Sequence, residues 1–267
     1  MKLHLKKIGV MVLVVLLLGS VAENFYLAHA LHTQDMMGED IVESETEEDS
    51  ELCYINFPDA NTRDNYDTIH NLKAAQQVSK GAGVKVGILD WGFGFDEHKD
   101  LYAGGKDFMK FEYHDENFKH VNEHGFWMAQ TLKEIAPEVE VYALGTFSPD
   151  NEEEWVDSLV EAIHWAMKND IEILTLSHQE ISDKNKARLD EAVNEAVAQG
   201  KVCLSVSSMS VVTGGFVAIL KSINNTLTPE QYKEILVKTS RPLEYEGQSA
   251  VHVVDIEKAV QYLKENY

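Results

Sequence analysis

From Val84 onward, short apolar runs alternate with longer stretches in which apolar residues return at helical spacing. Val84–Leu89, Val139–Leu144, Ile171–Leu176 and Val202–Val206 read as buried strands. Between them, Gly125–Ile135, Glu153–Lys168 and Lys186–Gln199 have helical character; in the second, Val156, Leu159, Val160, Ile163 and Ala166 fall on one face. Gly200 stops the third. Two further helices are predicted over Gly215–Ile223 and Pro229–Thr239, the latter opened by Thr228 as N-cap with Pro229 in the first helical position. Strand and helix alternating in this way predict an α/β fold with a mostly parallel sheet covered by helices on both faces. Neither an internal repeat nor a second core is visible, so residues 54–267 are expected to form one domain.

The first 53 residues have another character. Lys2, Lys6 and Lys7 precede an unbroken apolar run from Ile8 to Leu18, and small residues follow at Gly19, Ser20 and Ala22. That is the layout of a secretory signal peptide over residues 1–22. An uncleaved N-terminal anchor is the alternative, and the run is short for a bilayer span. Cleavage is expected after Ala22 or in Ala28-His29-Ala30, placing the mature chain in a secreted or cell-surface, extracytoplasmic location. Residues 23–53 then form an acidic linker or pro-segment remnant, with Glu39, Asp40, Glu43, Glu45, Glu47, Glu48, Asp49 and Glu51 in close succession. The whole chain has 23 basic and 45 acidic residues, a net charge of −22, which excludes nucleic acid as a natural partner. Two cysteines, Cys53 and Cys203, are permitted to pair in an oxidising compartment, although nothing in the sequence brings them together.

Three local signals carry chemistry. The first predicted strand runs into Asp90-Trp91-Gly92, placing a carboxylate at a strand's carboxyl end, where open α/β sheets bind ligands. His124-Gly125 opens a predicted helix. Ser207-Ser208-Met209-Ser210 lies directly before another, where backbone amides suit a developing oxyanion. Taken singly, each has a structural explanation: a turn cap, a solvated histidine, a helix N-cap. His120 and His124, with Asp115 and Glu123 nearby, also have spacing that would suit zinc on a helix, but Gly125 marks a helix start rather than an interior.

The order of the signals and their flanking words resemble the subtilisin-like serine protease family over most of the chain after Leu72. "GVKVGILDWGFGFDEHKDL" is similar to the family's Asp motif. "HGFWMAQTL" followed by "APEVEVYAL" is similar to its His-Gly helix and next strand, and "WAMKNDIEILTLS" and "AVAQGKVCL" to two later helix–strand units. "SSMSVVTGGFVAIL" resembles the Gly-Thr-Ser-Met-Ala nucleophile motif, and "VHVVDIEKAV" the C-terminal strand and helix. The resemblance implies a subtilisin-like three-layer fold and peptide hydrolysis by a triad: Ser208 as nucleophile with Ser207 as the alternative, His124 as general base, and Asp90 holding the imidazole. It further implies that the strand Leu174, Thr175, Leu176 and Ser177 pairs with an extended substrate. A calcium ion would suit the family habit and the acidity, yet no loop localises one, and no cofactor is required. The expected partner of a monomeric chain is a polypeptide substrate or peptide ligand.

The chain departs from the family pattern in one decisive place. His124 and Ser208 are only 84 residues apart, about half the family spacing, and the missing stretch normally supplies an Asn to the oxyanion hole. Trp91, Phe126 and Trp127 are also bulky beside the proposed site and threaten to displace Asp90 and His124. Two readings follow: a secreted serine endopeptidase, or an inactive subtilisin-like domain that binds peptides or proteins.

Overall fold

The structure, a computed structural model, describes residues 66–177, 181–205, 210–243 and 251–267. The predicted leader, the acidic segment, Cys53, Ser207 and Ser208 lie outside these residues. Cys203 is buried in its strand.

A five-stranded, wholly parallel sheet has the order β2-β3-β1-β4-β5, formed by β1 (Lys85–Asp90), β2 (Gly104–Asp107), β3 (Glu140–Gly145), β4 (Ile173–Leu176) and β5 (Val202–Ser205). Two short N-terminal helices precede it, α1 (Tyr66–His70) and α2 (Leu72–Gln76). α3 (His114–Lys119) and α4 (His124–Ile135) lie between β2 and β3, α5 (Glu152–Lys168) between β3 and β4, and α6 (Asp183–Ala198) between β4 and β5. The chain ends with α7 (Ser210–Ile223), α8 (Pro229–Thr239), the antiparallel pair β6 (Arg241–Leu243) and β7 (Val251–Val253), and α9 (Ile256–Asn266).

Side chains that alternate along each strand feed two separate cores, because successive residues point to opposite faces. Val86 and Ile88 of β1, with Val141 and Ala143 of β3, pack against α4, α7, α8 and α9. Leu89, Leu144, Leu174 and Leu176 face α5 and α6. The result is the expected α/β architecture with a helical layer on each face.

α7 is buried around its entire circumference from Ser210 to Lys221. Such a helix has no polar face to reveal its period, and its first turn is rich in β-branched residues with modest helix propensity. Tertiary burial decides the matter, so the helix begins five residues earlier than its sequence predicts. Two glycines let it sit so deep. A Cβ on Gly215 would fall 2.5 Å from Cγ2 of Ile135 on α4, and one on Gly214 would fall 2.9 Å from Cγ2 of Thr175 on β4. α8 opens as predicted: Thr228 Oγ1 accepts from the Gln231 N–H while the Gln231 side chain accepts from the Thr228 N–H, a capping box.

Candidate active site

β1 is the central strand, and its last residue is Asp90, hydrogen-bonded through its carbonyl to the Thr146 N–H just beyond β3. Beyond Asp90 the chain turns through Gly92, whose φ of +70° is open to glycine at little cost. This turn docks backbone to backbone on the start of α4. The Glu123 N–H donates to Gly92 O at 2.7 Å, and the Gly125 N–H to Trp91 O at 2.8 Å. A Cβ on Gly92 would lie 2.3 Å from the Glu123 Cβ, and one on Gly125 would lie 2.7 Å from Trp91 O. Both glycines are therefore required for the close approach, and that approach brings His124 over the end of β1.

There, His124 Nδ1 stands 2.7 Å from Asp90 Oδ2, and the other carboxylate oxygen accepts from the Trp91 N–H at 2.8 Å. The carboxylate side chain has no exposed surface, whereas the imidazole is 43% exposed. A carboxylate can only accept, so Nδ1 carries the proton and Nε2 keeps its lone pair. The hydrogen bond from Asp90 raises the His124 pKa above its ordinary value, against the opposing effect of burial. The arrangement leaves a neutral imidazole able to take a proton at Nε2 and a buried carboxylate able to stabilise the resulting cation.

The bulky residues do not displace this pair. Trp91 stacks on Phe147 with centroids 5.4 Å apart, Phe126 stacks on the His98 ring at 4.3 Å, and Trp127 points outward, 45% exposed. Each large ring has found a partner or solvent, and the Asp90–His124 contact is kept.

Ser208 and Ser207 lie outside the described residues. The described chain stops at Ser205, at the carboxyl end of β5 and in register with Leu176 of β4, and resumes at Ser210, the first residue of α7.

The expectation for Leu174, Thr175 and Leu176 needs correction. β4 is an interior strand: Ile173–Leu176 pairs with Val202–Ser205 on one side, and Val86–Leu89 pairs with Ile173–Leu176 on the other. Its backbone groups are already engaged, and all three side chains are buried. No substrate strand can be added there. Ser177, whose N–H donates to Leu89 O at 3.3 Å, is the point at which β4 leaves the sheet.

The zinc reading also changes. His120 caps the end of α3 and His124 begins α4, so the two histidines share no helix face. No group of three or more potential ligands gathers among the described residues.

A second Asp–His pair went unnoticed in the sequence. Asp107 ends β2, in register with Gly145 of β3, and its Oδ2 lies 2.6 Å from His114 Nδ1. Burial raises the Asp107 pKa. Gly104-Gly105-Lys106-Asp107 has no apolar pattern to mark a strand; its placement before a His-containing segment was the one available signal.

Fold and site together define an α/β protein with a carboxylate-supported imidazole at the carboxyl edge of a parallel sheet. No protein-family model matches the chain. It is 30% identical over 152 residues to Subtilisin DY of Bacillus licheniformis, a match covering 53% of each protein. The chain thus spans about half the length of the curated relative it matches. Its fold resembles that of MycP1 from Mycobacterium smegmatis, with a TM-score of 0.54, 15% identity, and coverage of 76% of this chain and 86% of that one. It also resembles a protease from Pseudoalteromonas arctica, with a TM-score of 0.56, 14% identity, and coverage of 78% and 99% respectively. The chain thus resembles the subtilisin-like proteases in sequence over about half its length and in its α/β fold.

Proposed function

We propose that this protein is an exported serine endopeptidase in which Asp90, His124 and Ser208 act as a triad. The observation that carries the reading is the buried Asp90 carboxylate 2.7 Å from His124 Nδ1 at the end of the central strand. In this reading the Ser208 hydroxyl gives its proton to His124 Nε2 as its oxygen attacks the peptide carbonyl. The imidazolium, held by Asp90, then protonates the leaving amine, and water releases the acyl group by the same steps in reverse order. The N-terminus of α7, two residues after Ser208, lends its dipole to the developing oxyanion. The reaction needs no cofactor or metal.

Export rests on residues 1–22 as a signal peptide, with residues 23–53 as an acidic linker and 54–267 as the peptidase domain. No helix among the described residues is long and apolar enough to cross a membrane. The test is labelling of the mature protein with a fluorophosphonate. Labelling lost in Ser208→Ala and kept in Ser207→Ala supports the triad. Folded wild-type protein that does not label overturns it and leaves a peptide-binding role.

A further inference from the structure

The first described helix is fastened to the last elements of the chain by two polar contacts. His70, the final residue of α1, places Nδ1 2.8 Å from the carbonyl oxygen of Val254, just beyond β7. A carbonyl can only accept, so Nδ1 carries the proton of the neutral ring. The Arg241 guanidinium of β6 donates to the Ile69 carbonyl at 2.6 Å, covering the open carboxyl end of α1. α1 spans only five residues, and a helix so short does not hold itself in water. Its place depends on these contacts and on the burial of Tyr66 and His70.

The surroundings of His70 suit a neutral ring. The residue is 5% exposed and packs against the Phe216 ring of α7 at 5.0 Å and the Tyr66 ring of its own helix at 6.3 Å. The charges that act on it are Arg241 from β6 and Asp255 from the link between β7 and α9. Asp255 is already engaged: it accepts from the Lys258 N–H at 3.2 Å as the N-cap of α9, and its other oxygen pairs with the Lys258 ammonium at 3.4 Å. On α1 itself, Asp67 pairs with Lys73 of α2 at 3.0 Å. A second proton, taken at Nε2, thus makes a buried cation beside the Arg241 cation, with its one carboxylate neighbour shared. Burial is the main cause of a His70 pKa below the ordinary value; the Val254 hydrogen bond opposes it and Arg241 reinforces it.

We infer that α1 is an acid-released latch: when the surroundings acidify, His70 takes up a proton and the helix leaves Val254 and Phe216 while the sheet stays folded. The stabilisation from His70 is complete above the ordinary histidine pKa of about 6.5 and is lost as the pH falls toward the lower folded value. That direction is opposite to the one for His124, whose pKa is raised. The latch does not depend on the peptidase reading. On that reading its release also bears on catalysis, because Phe216 belongs to the helix that follows Ser208.

Hydrogen–deuterium exchange with peptide resolution on the full chain, at about pH 7.5 and about pH 5 and corrected for the intrinsic rate, reads the latch directly. Peptides spanning α1 should exchange at least about fivefold faster at the lower pH, while those of β1, β3 and β4 keep their protection. His70→Asn retains an N–H near the position of Nδ1, and His70→Phe retains a ring against Phe216. Neither side chain titrates, so in both variants α1 should exchange at one corrected rate at the two pH values. Equal protection of wild-type α1 at both pH values, a pH response that survives in either variant, or loss of sheet protection together with α1 overturns the inference. None of these readouts involves Ser208, so fluorophosphonate labelling decides the peptidase reading separately.

Discussion

Asp90→Asn isolates what the buried carboxylate contributes. The two side chains have the same shape, so the fold should survive, but the hydrogen-bonding pattern cannot. The fixed Trp91 N–H, 2.8 Å from Oδ1, holds the new amide oxygen toward itself, because turning the amide NH₂ there would oppose two donors in a buried place at a cost of about 1–3 kcal/mol. The amide NH₂ then faces His124 Nδ1. Only the tautomer with its proton on Nε2 accepts that bond, and this tautomer has no lone pair to offer Ser208. A defect of this kind lowers turnover by about 10⁴-fold in a serine protease, equivalent to about 5.5 kcal/mol of transition-state stabilisation. The rate of fluorophosphonate labelling should fall by a similar factor.

The His124 pKa supplies an independent readout. Its rise is caused first by the Asp90 hydrogen bond, with burial acting against it. Protonation of His124 therefore stabilises the wild-type fold. That contribution is complete below the unfolded histidine pKa of about 6.5 and is lost as the pH climbs through the higher folded value. In Asp90→Asn only burial remains, so the shift reverses and lowering the pH destabilises the fold. The stability gap between the two proteins should widen as the pH falls through the histidine range, and NMR titration should place the variant's His124 below the wild-type's. A variant that labels within about tenfold of wild type, or whose His124 titrates no lower, would refute the reasoning.

Gly92→Ala should be destabilised and labelled slowly, since it suffers both the positive φ and the clash with Glu123; denaturant melts and labelling rates measure the two effects. Gly215→Ala should lose about 1–3 kcal/mol through overpacking against Ile135, partly offset by helix propensity, and a calorimetric melting point at or above wild type would contradict the close packing. Gly200→Ala has a positive φ but no neighbour within 4 Å, so it should cost only about 1–2 kcal/mol of backbone strain and leave labelling unchanged.

The sheet was legible wherever strands announced themselves by apolar runs, and four of its five strands were. β2 was not, because Gly104 and Gly105 approach Tyr142 and Ala143 too closely to carry side chains, so close packing erased the pattern that would have marked it. The early start of α7 was hidden for the opposite reason: complete burial removes the polar face from which helical period is read. Asp90 and His124 were found by motif and order, and the glycines that dock their two turns explain why those words occur together. The rings of Trp91 and Phe126 suggested crowding because a sequence states size without direction; they stack on Phe147 and His98, and the Asp90–His124 contact stays at 2.7 Å.

The position of β4 bears on how recognition can work at all. A strand on the edge of a sheet can bind an extended peptide by main-chain bonds and care little for its side chains. Here β4 is enclosed between β1 and β5, and among the described residues the sheet ends at β5. On the proposed peptidase reading, substrate is held instead by what stands at the carboxyl edge: the exit of β4 at Ser177 and the Trp91–Phe147–Phe111 rings. Recognition through side chains discriminates more than strand addition does, because a ring or carboxylate left without its match penalises the wrong residue.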